Sequence, residues 1–288
     1  MKTPDATLLP AGIRRCDVVA WHGGRAQPQP DWVAQEVPVA LVFNGISHAV
    51  MLASPGDLED FALGFALTEG LLDGPAELYG CEVHEVGEGL ELQLEVAAAC
   101  AWRLQQRRRT LAGRTGCGLC GTDSLAQVHR TLPRVPAVQV PASALACAQR
   151  ALRHAQPMQQ LTGASHAAAW CDRAGTIQFA REDVGRHNAL DKLVGAMVRA
   201  RVDPAEGFIL VTSRASFEMV QKAAMAGAGV LAAVSAPTAL AIETAQACGL
   251  ALAGFVRDDD CVAYTFAERF GLAPAPQSPF TSSTRTAT

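Results

Sequence analysis

Phe208-Ile-Leu-Val-Thr212, Ser213-Arg-Ala-Ser216, Phe217-Glu-Met-Val-Gln-Lys-Ala-Ala-Met-Ala226 and, after Gly227-Ala-Gly229, Val230-Leu-Ala-Ala-Val234 form one continuous run. Short apolar runs flank a stretch whose apolar residues recur at helical spacing, so the run reads as strand, turn, helix, strand. The pattern extends both ways. Helix Val184 to Arg199 leads into the first strand, and helix Thr238 to Cys248 leads from the second to strand Leu250 to Phe255. A last short strand covers Cys261 to Thr265, while Ser143 to Arg153 is a helix. His166 to Cys171 and Thr176 to Ala180 read as paired strands around Asp172-Arg-Ala-Gly175. Such alternation predicts a largely parallel sheet with helices on both faces.

The N-terminal half has another texture. Val37 to Phe43 and Ile46 to Leu52 flank Asn44-Gly45, the dipeptide that tolerates positive φ in a hairpin turn. Ser54-Pro55 is expected to cap a helix with Pro at its first position, burying Leu58, Phe61, Ala62, Phe65 and Leu72. Strands around Cys81 to Val86 and Leu90 to Val96 follow, then a helix from Ala97 to Leu111, which together suggest a small α+β domain. The expected organisation is a poorly ordered lead-in (1–32), the α+β domain (33–132), a proline-rich linker (133–141), the α/β domain (142–272) and a disordered tail (273–288).

With 288 residues, 49% hydrophobic and 18% charged, the composition is that of a soluble globular protein. A net charge of -4 makes no case for nucleic acid or an anionic membrane as partner. The N-terminus lacks the pattern of a signal peptide, and no uninterrupted apolar run of about 20 residues is present. Nine cysteines without a secretory signal imply reduced thiols and a cytoplasmic location.

The chemistry converges on Arg114-Thr-Gly-Cys117-Gly-Leu-Cys120-Gly-Thr-Asp123. Glycines before, between and after the cysteines argue against a helix or strand interior, so a mobile loop carrying two thiols is expected. Arg107, Arg108, Arg109 and Arg114 would favour the nucleophilic thiolate. Half of a structural zinc site is the competing reading, but it needs two further ligands, and only His129 offers one nearby. No structural metal is expected.

In an open α/β sheet, ligands gather beyond the carboxyl ends of the strands. Three stretches fall there: Thr212 to Ser216 with Ser213 and Arg214, Ser235 to Thr238, and Phe255-Val256-Arg257-Asp258-Asp259-Asp260. The Phe255 ring can stack on a base, and the carboxylates can accept from a guanine amino or ribose hydroxyl group. Strand alternation would put 255, 257 and 259 on one face, with Asp259 nearest the guanine. A polar turn beside a helix cap also accounts for each stretch alone. Glu182-Asp183-Val-Gly-Arg186-His187 sits at a further strand-to-helix corner, and serves either as a cap or as a ligand contact.

Taken together, Gly113 to Gly121, Glu182 to His187 with Ala189-Leu-Asp-Lys192, Ser213 to Lys222, Val234 to Thr238 and Glu36 to His48 resemble the formate dehydrogenase accessory sulfurtransferases. The resemblance runs from about Val33 to Arg269. It implies a cytidine-deaminase-like three-layer α/β/α domain beside the smaller α+β domain, assembled as a homodimer. It further implies that a cysteine desulfurase donates persulfide sulfur, which passes to the bis(molybdopterin guanine dinucleotide) molybdenum cofactor required by formate dehydrogenase. Cys117 matches the persulfide carrier and Cys120 its neighbour, and Phe255 to Asp260 matches the guanine dinucleotide segment. A non-enzymatic cofactor chaperone, whose loop only docks the cofactor or a partner, is the alternative. Zinc deamination is excluded by the sequence, since it needs H-x-E with P-C-x-x-C and neither is present. Asp258 to Asp260 departs from the family pattern, which often ends this segment in Gly-Arg.

Overall fold

The computed structural model of the chain describes residues 11–111 and 131–272. It opens with a hairpin, β1 (Ile13–His22) and β2 (Arg25–Ala34), paired antiparallel along all ten positions. From residue 13 onward the expectation of a poorly ordered lead-in is corrected: Gly23 and Gly24, at φ 55° and 83°, supply the turn that closes the hairpin. Pro28 and Pro30 lie in β2, which is free on its other side and therefore tolerates residues without an N–H.

β3 (Val37–Phe43) and β4 (Ile46–Ala53) form the expected hairpin, and β5 (Leu78–Val86) and β6 (Gly89–Val96) a second. The two join through a parallel β3–β6 pairing into a sheet of order β4-β3-β6-β5. Between them runs α1 (Leu58–Thr68), and after them α2 (Ala98–Leu111). The start of α1 differs from expectation. Its N-cap is Asp57, at φ 53°, three residues beyond Ser54. Ser54 is instead fully buried, and its groups are taken up by contacts with the other domain.

The larger sheet has the order β12-β11-β10-β9-β7-β8. Its strands are β7 (His166–Asp172), β8 (Ile177–Asp183), β9 (Gly207–Val211), β10 (Val230–Ala233), β11 (Ala251–Arg257) and β12 (Asp260–Ala263). Only β9, β10 and β11 pair in parallel; β7, β8 and β12 add antiparallel neighbours. The predicted largely parallel sheet is thus a parallel centre with antiparallel edges. Tight β7–β8 and β11–β12 connections require antiparallel pairs, because a parallel neighbour needs a long crossover.

Side chains alternate between its two faces. Ile209 and Val211, with Leu231 and Ala233, face α5 (Arg186–Arg199), α6 (Phe217–Met225) and α7 (Ala239–Cys248). Phe208 and Leu210, with Val230 and Ala232, face α3 (Ala142–Leu152). The proline-rich segment before α3 is not a free linker. Val138 and Val140 are buried in this second face, and Val140 donates its N–H to Arg269 O at 2.9 Å. A short helix that the sequence reading missed, α4 (Pro157–Thr162), precedes β7.

The two domains meet through α1 and α5. A Cβ on Gly64 would lie 1.8 Å from Asp191 O, and one on Gly195 1.9 Å from Asp60 O. The helices cross backbone to backbone, which only glycine at both positions permits. α1 is buried on nearly every side because the small sheet covers one flank and α5 the other. Three ion-paired groups frame the crossing. Arg181 Nη2 meets Asp60 at 2.7 Å, and Lys222 Nζ lies 3.0 Å from Asp191 Oδ2 and 2.6 Å from Glu69 Oε1. Lys192 Nζ meets Asp183 Oδ2 at 2.7 Å with both side chains 0% exposed.

Candidate functional site

Because β8 is antiparallel to β7 and β7 to β9, strands β8, β9, β10 and β11 run in one direction. Their carboxyl ends share one edge, and His166, which opens β7 and pairs with Asp183, stands at the same edge. The expected loops meet there and are strapped together. Ala215 N donates to Ala236 O at 3.2 Å, Thr238 N to Ala215 O at 3.0 Å, and Phe255 N to Ser235 O at 3.2 Å. A rigid platform from three separate loops is how a doubly covered sheet presents a ligand surface.

On this platform Ser213 is buried and gives its hydroxyl to Arg214 O at 3.0 Å, while Arg214 is exposed. Phe255 is 41% exposed and holds φ 51°, a left-handed conformation that an aromatic residue adopts only at a cost of about 1–2 kcal/mol. The strain has a visible origin. The register between β11 and β12 shifts between Gly254 and Arg257, so Phe255 is the bulged residue of a strand that must also accommodate Pro237 beside Gly254. Arg257 lies on the same side, its Nε donating to Val234 O at 3.3 Å.

The remaining residues of the segment depart from the expected faces. Val256 is 0% exposed and packs in the core under α3, away from the platform. Asp258, at φ 51°, turns the chain out of strand geometry, so the alternation does not reach Asp259. Asp259 Oδ1 instead accepts from Arg150 Nη1 at 2.7 Å, and Asp258 Oδ1 from Arg153 Nη2 at 3.3 Å. Both aspartates are drawn to α3. Asp260 opens β12 opposite Arg257 and is exposed.

The corner at 182–187 divides into two halves. Its carboxylates are structural. Glu182 accepts from Met158 N at 2.8 Å and Gln159 N at 2.9 Å, at the first turn of α4, and from the Ser165 hydroxyl. Asp183 accepts from Ser54 N, Gly185 N and Asn188 Nδ2 besides Lys192. Its basic half is unclaimed: Arg186 Nε and His187 Nε2 are shielded from solvent and have no hydrogen-bond partner. Burial first, then the charges of Arg186 and Lys222, push His187 down to about 4, so its imidazole is neutral near pH 7. The sequence reading missed the Ser54–Asp183–Lys192 lock and the Arg150 and Arg153 clasp. Lys192, set among Ala189, Leu190, Leu193 and Val194, was the available signal for the first.

Cys117 and Cys120 lie outside the described residues, as do Arg114 and His129. Among the described cysteines, burial raises Cys81 to about 11 and pushes Cys171, Cys248 and Cys261 up as well. These four hold little thiolate near pH 7 and are poor nucleophiles.

Fold and edge together define a mixed α/β protein of several sheets and helices, in which three loops meet at one edge of the largest sheet. The chain belongs to the FdhD/NarQ family, whose model matches residues 34–271. Two proteins named sulfur carrier protein FdhD are similar over nearly their full lengths. The one from Bordetella petrii is 58% identical over 250 residues, covering 86% of this chain and 90% of that protein. The one from Variovorax paradoxus is 55% identical over 276 residues, covering 96% and 99%. A crystal structure assigned to a formate dehydrogenase accessory protein of Desulfotalea psychrophila superposes with a TM-score of 0.72 over 89% of this chain and 98% of that one, at 21% identity. At that identity the likeness concerns the fold.

Proposed function

We propose that this protein is a sulfurtransferase that accepts persulfide sulfur from a cysteine desulfurase and passes it to the bis(molybdopterin guanine dinucleotide) cofactor destined for formate dehydrogenase. The observation that carries the reading is the pairing of C-x-x-C in a glycine-flanked, arginine-rich stretch with relatives named sulfur carriers over almost the whole chain. Cys117 thiolate attacks the terminal sulfur of the donor persulfide, and the donor's cysteine thiolate leaves. Cys120, three residues further along the chain, resolves or relays the new persulfide. The cofactor is cargo here. Its guanine end suits the platform, where Phe255 offers a ring face, the exposed guanidinium groups of Arg214 and Arg257 offer donors, and the buried Ser213 ties the loop to Arg214 O. Val256 supports Phe255 from the core, and the arginine-bound Asp258 and Asp259 fix the hairpin, with Asp260 in its second strand.

The order β8-β7-β9-β10-β11, with helices on both faces, supports the cytidine-deaminase-like assignment of the larger domain. A homodimer in the reducing cytoplasm belongs to the same reading. No helix among the described residues is long and apolar enough to cross a membrane.

Mass spectrometry after incubation with a cysteine desulfurase and cysteine tests it. The expected product carries one added sulfur on Cys117. Cys117→Ser should melt at the wild-type temperature, lose that sulfur and fail to mature formate dehydrogenase. Maturation by a protein that never gains sulfur would establish the docking chaperone instead.

A further inference from the structure

Resting on the guanine reading of the platform, we propose that Arg150 and Arg153 are positioning residues for its ligand. From α3 they hold the β11–β12 turn, and through it they set Phe255 and Arg257. The turn does not hold itself. Asp258 and Asp259 form the two-residue connection between β11 and β12, and Asp258 stands at φ 51°, a left-handed conformation that is unfavourable for a residue with a Cβ. Behind it the register shifts between Gly254 and Arg257, so the end of the hairpin joins the sheet through a second strained residue, Phe255. Two adjacent carboxylates on the turn repel each other and oppose it further.

Residues of α3 and its C-cap supply what the turn lacks. Arg150 Nη1 donates to Asp258 O at 3.1 Å and to Asp259 Oδ1 at 2.7 Å, and Arg153 Nη2 donates to Asp258 Oδ1 at 3.3 Å. The same helix buries Leu145, Ala148 and Leu152 in the cluster that holds Val256. With Val256 and the turn both fixed against α3, the two neighbours of Val256, Phe255 and Arg257, are the exposed residues at the end of β11. The clasp also decides the charge that a ligand meets. Left free, Asp258 and Asp259 would stand beside Arg257 and repel a phosphate; paired to the two arginines they are neutralised on the α3 side. All four side chains are at least half exposed, and exposed pairs are individually weak, so the role is worth a several-fold change in affinity.

Calorimetry on the full chain with guanosine and GDP tests the role. Arg150→Gln combined with Arg153→Gln should weaken guanosine about three- to tenfold, and GDP by more, because two freed carboxylates then oppose its phosphates. Asp259→Asn loosens the clasp from the other side and should also weaken guanosine. Arg150 bonds through a single nitrogen, so Arg150→Lys should keep guanosine affinity within about twofold of wild type. Guanosine is uncharged, so salt acts on its binding only through the protein's own pairs. Raising salt from about 0.05 to about 1 M should weaken guanosine binding to wild type and leave the double variant unchanged. A loss of affinity that keeps the wild-type salt response marks a merely structural effect and overturns the proposal. Guanosine affinity equal in wild type and the double variant overturns the positioning role and leaves the platform standing. Wild type that binds neither guanosine nor GDP at millimolar concentration removes the platform, and this role with it.

Discussion

Asp183 and Lys192 show how a motif read as a site corner can be a structural lock. The pair is fully buried and joined to Ser54 at both ends, with Asp183 accepting from Ser54 N and Lys192 donating to Ser54 O at 2.9 Å. A buried pair of this kind is weak evidence for net stability, but removing one partner leaves the other uncompensated. Lys192→Met should therefore lower unfolding stability by about 3–5 kcal/mol, read from the urea midpoint. A loss below 1 kcal/mol would show that Asp183 takes a proton or finds other donors. His187 adds a pH dependence. Its folded pKa, about 4, lies below the ordinary value, so the unfolded chain binds more protons as the pH falls. The stability it contributes is complete above pH about 6.5 and is lost progressively toward pH 4, on the order of 2–3 kcal/mol in all. His187→Gln should flatten that part of a stability-against-pH curve. An unchanged slope between pH 6.5 and 4 would assign it to other groups. At Asp191 burial pushes the carboxyl up, while Lys222, which burial alone would lower, is carried upward by Asp191 and Glu69. The ammonium is the fixed charge of that cluster.

At the scale of elements, the crossing of α1 and α5 governs how the domains sit. Gly64 and Gly195 each face the other helix's backbone at a distance no Cβ can occupy. Gly64→Ala or Gly195→Ala raises helix propensity, a gain of up to about 1 kcal/mol, but forces the helices apart. Overpacking costs typically 1–3 kcal/mol, and a contact with backbone has less freedom to yield than one with a side chain. Each variant should thus be destabilised by roughly 2 kcal/mol or more in thermal or urea unfolding, and the crossing should loosen. A variant as stable as wild type would mean that the helices separate freely. The strained Phe255 is the counterpart in the larger sheet. Its left-handed backbone persists because Ser235, Pro237 and the shifted β11–β12 register over-determine it.

For the whole molecule, the division of labour is spatial. The larger sheet carries the loop edge proposed to take the ligand, and the Cys117 to Cys120 stretch lies in the sequence between the helix that follows the smaller sheet and the segment that enters the larger one. Sulfur handling and cofactor binding should accordingly separate. Cys117→Ser should retain GDP binding within about twofold while maturation of formate dehydrogenase is lost. Coupled loss of both would mean that the cysteine stretch forms part of the nucleotide site.

The sequence by itself determined most of the elements from Val37 onward, and their class. The Asn44-Gly45 hairpin, the alternation from Val184 to Phe255 and the loops at Ser213, Ser235 and Phe255 follow from local patterns that the fold obeys. Short-range periodicity and turn chemistry are written in adjacent residues, and so they are legible. Tertiary structure alone decided the rest. Pairing order made the sheet antiparallel at its edges and brought His166 to the ligand edge. A bulge and a turn sent Asp259 to Arg150 instead of the platform. Ser54, read as a cap, became the partner of Asp183 and Lys192 across more than 120 residues of chain. Each of these outcomes depends on which distant group supplies a hydrogen bond or a charge, and sequence spacing carries no record of that.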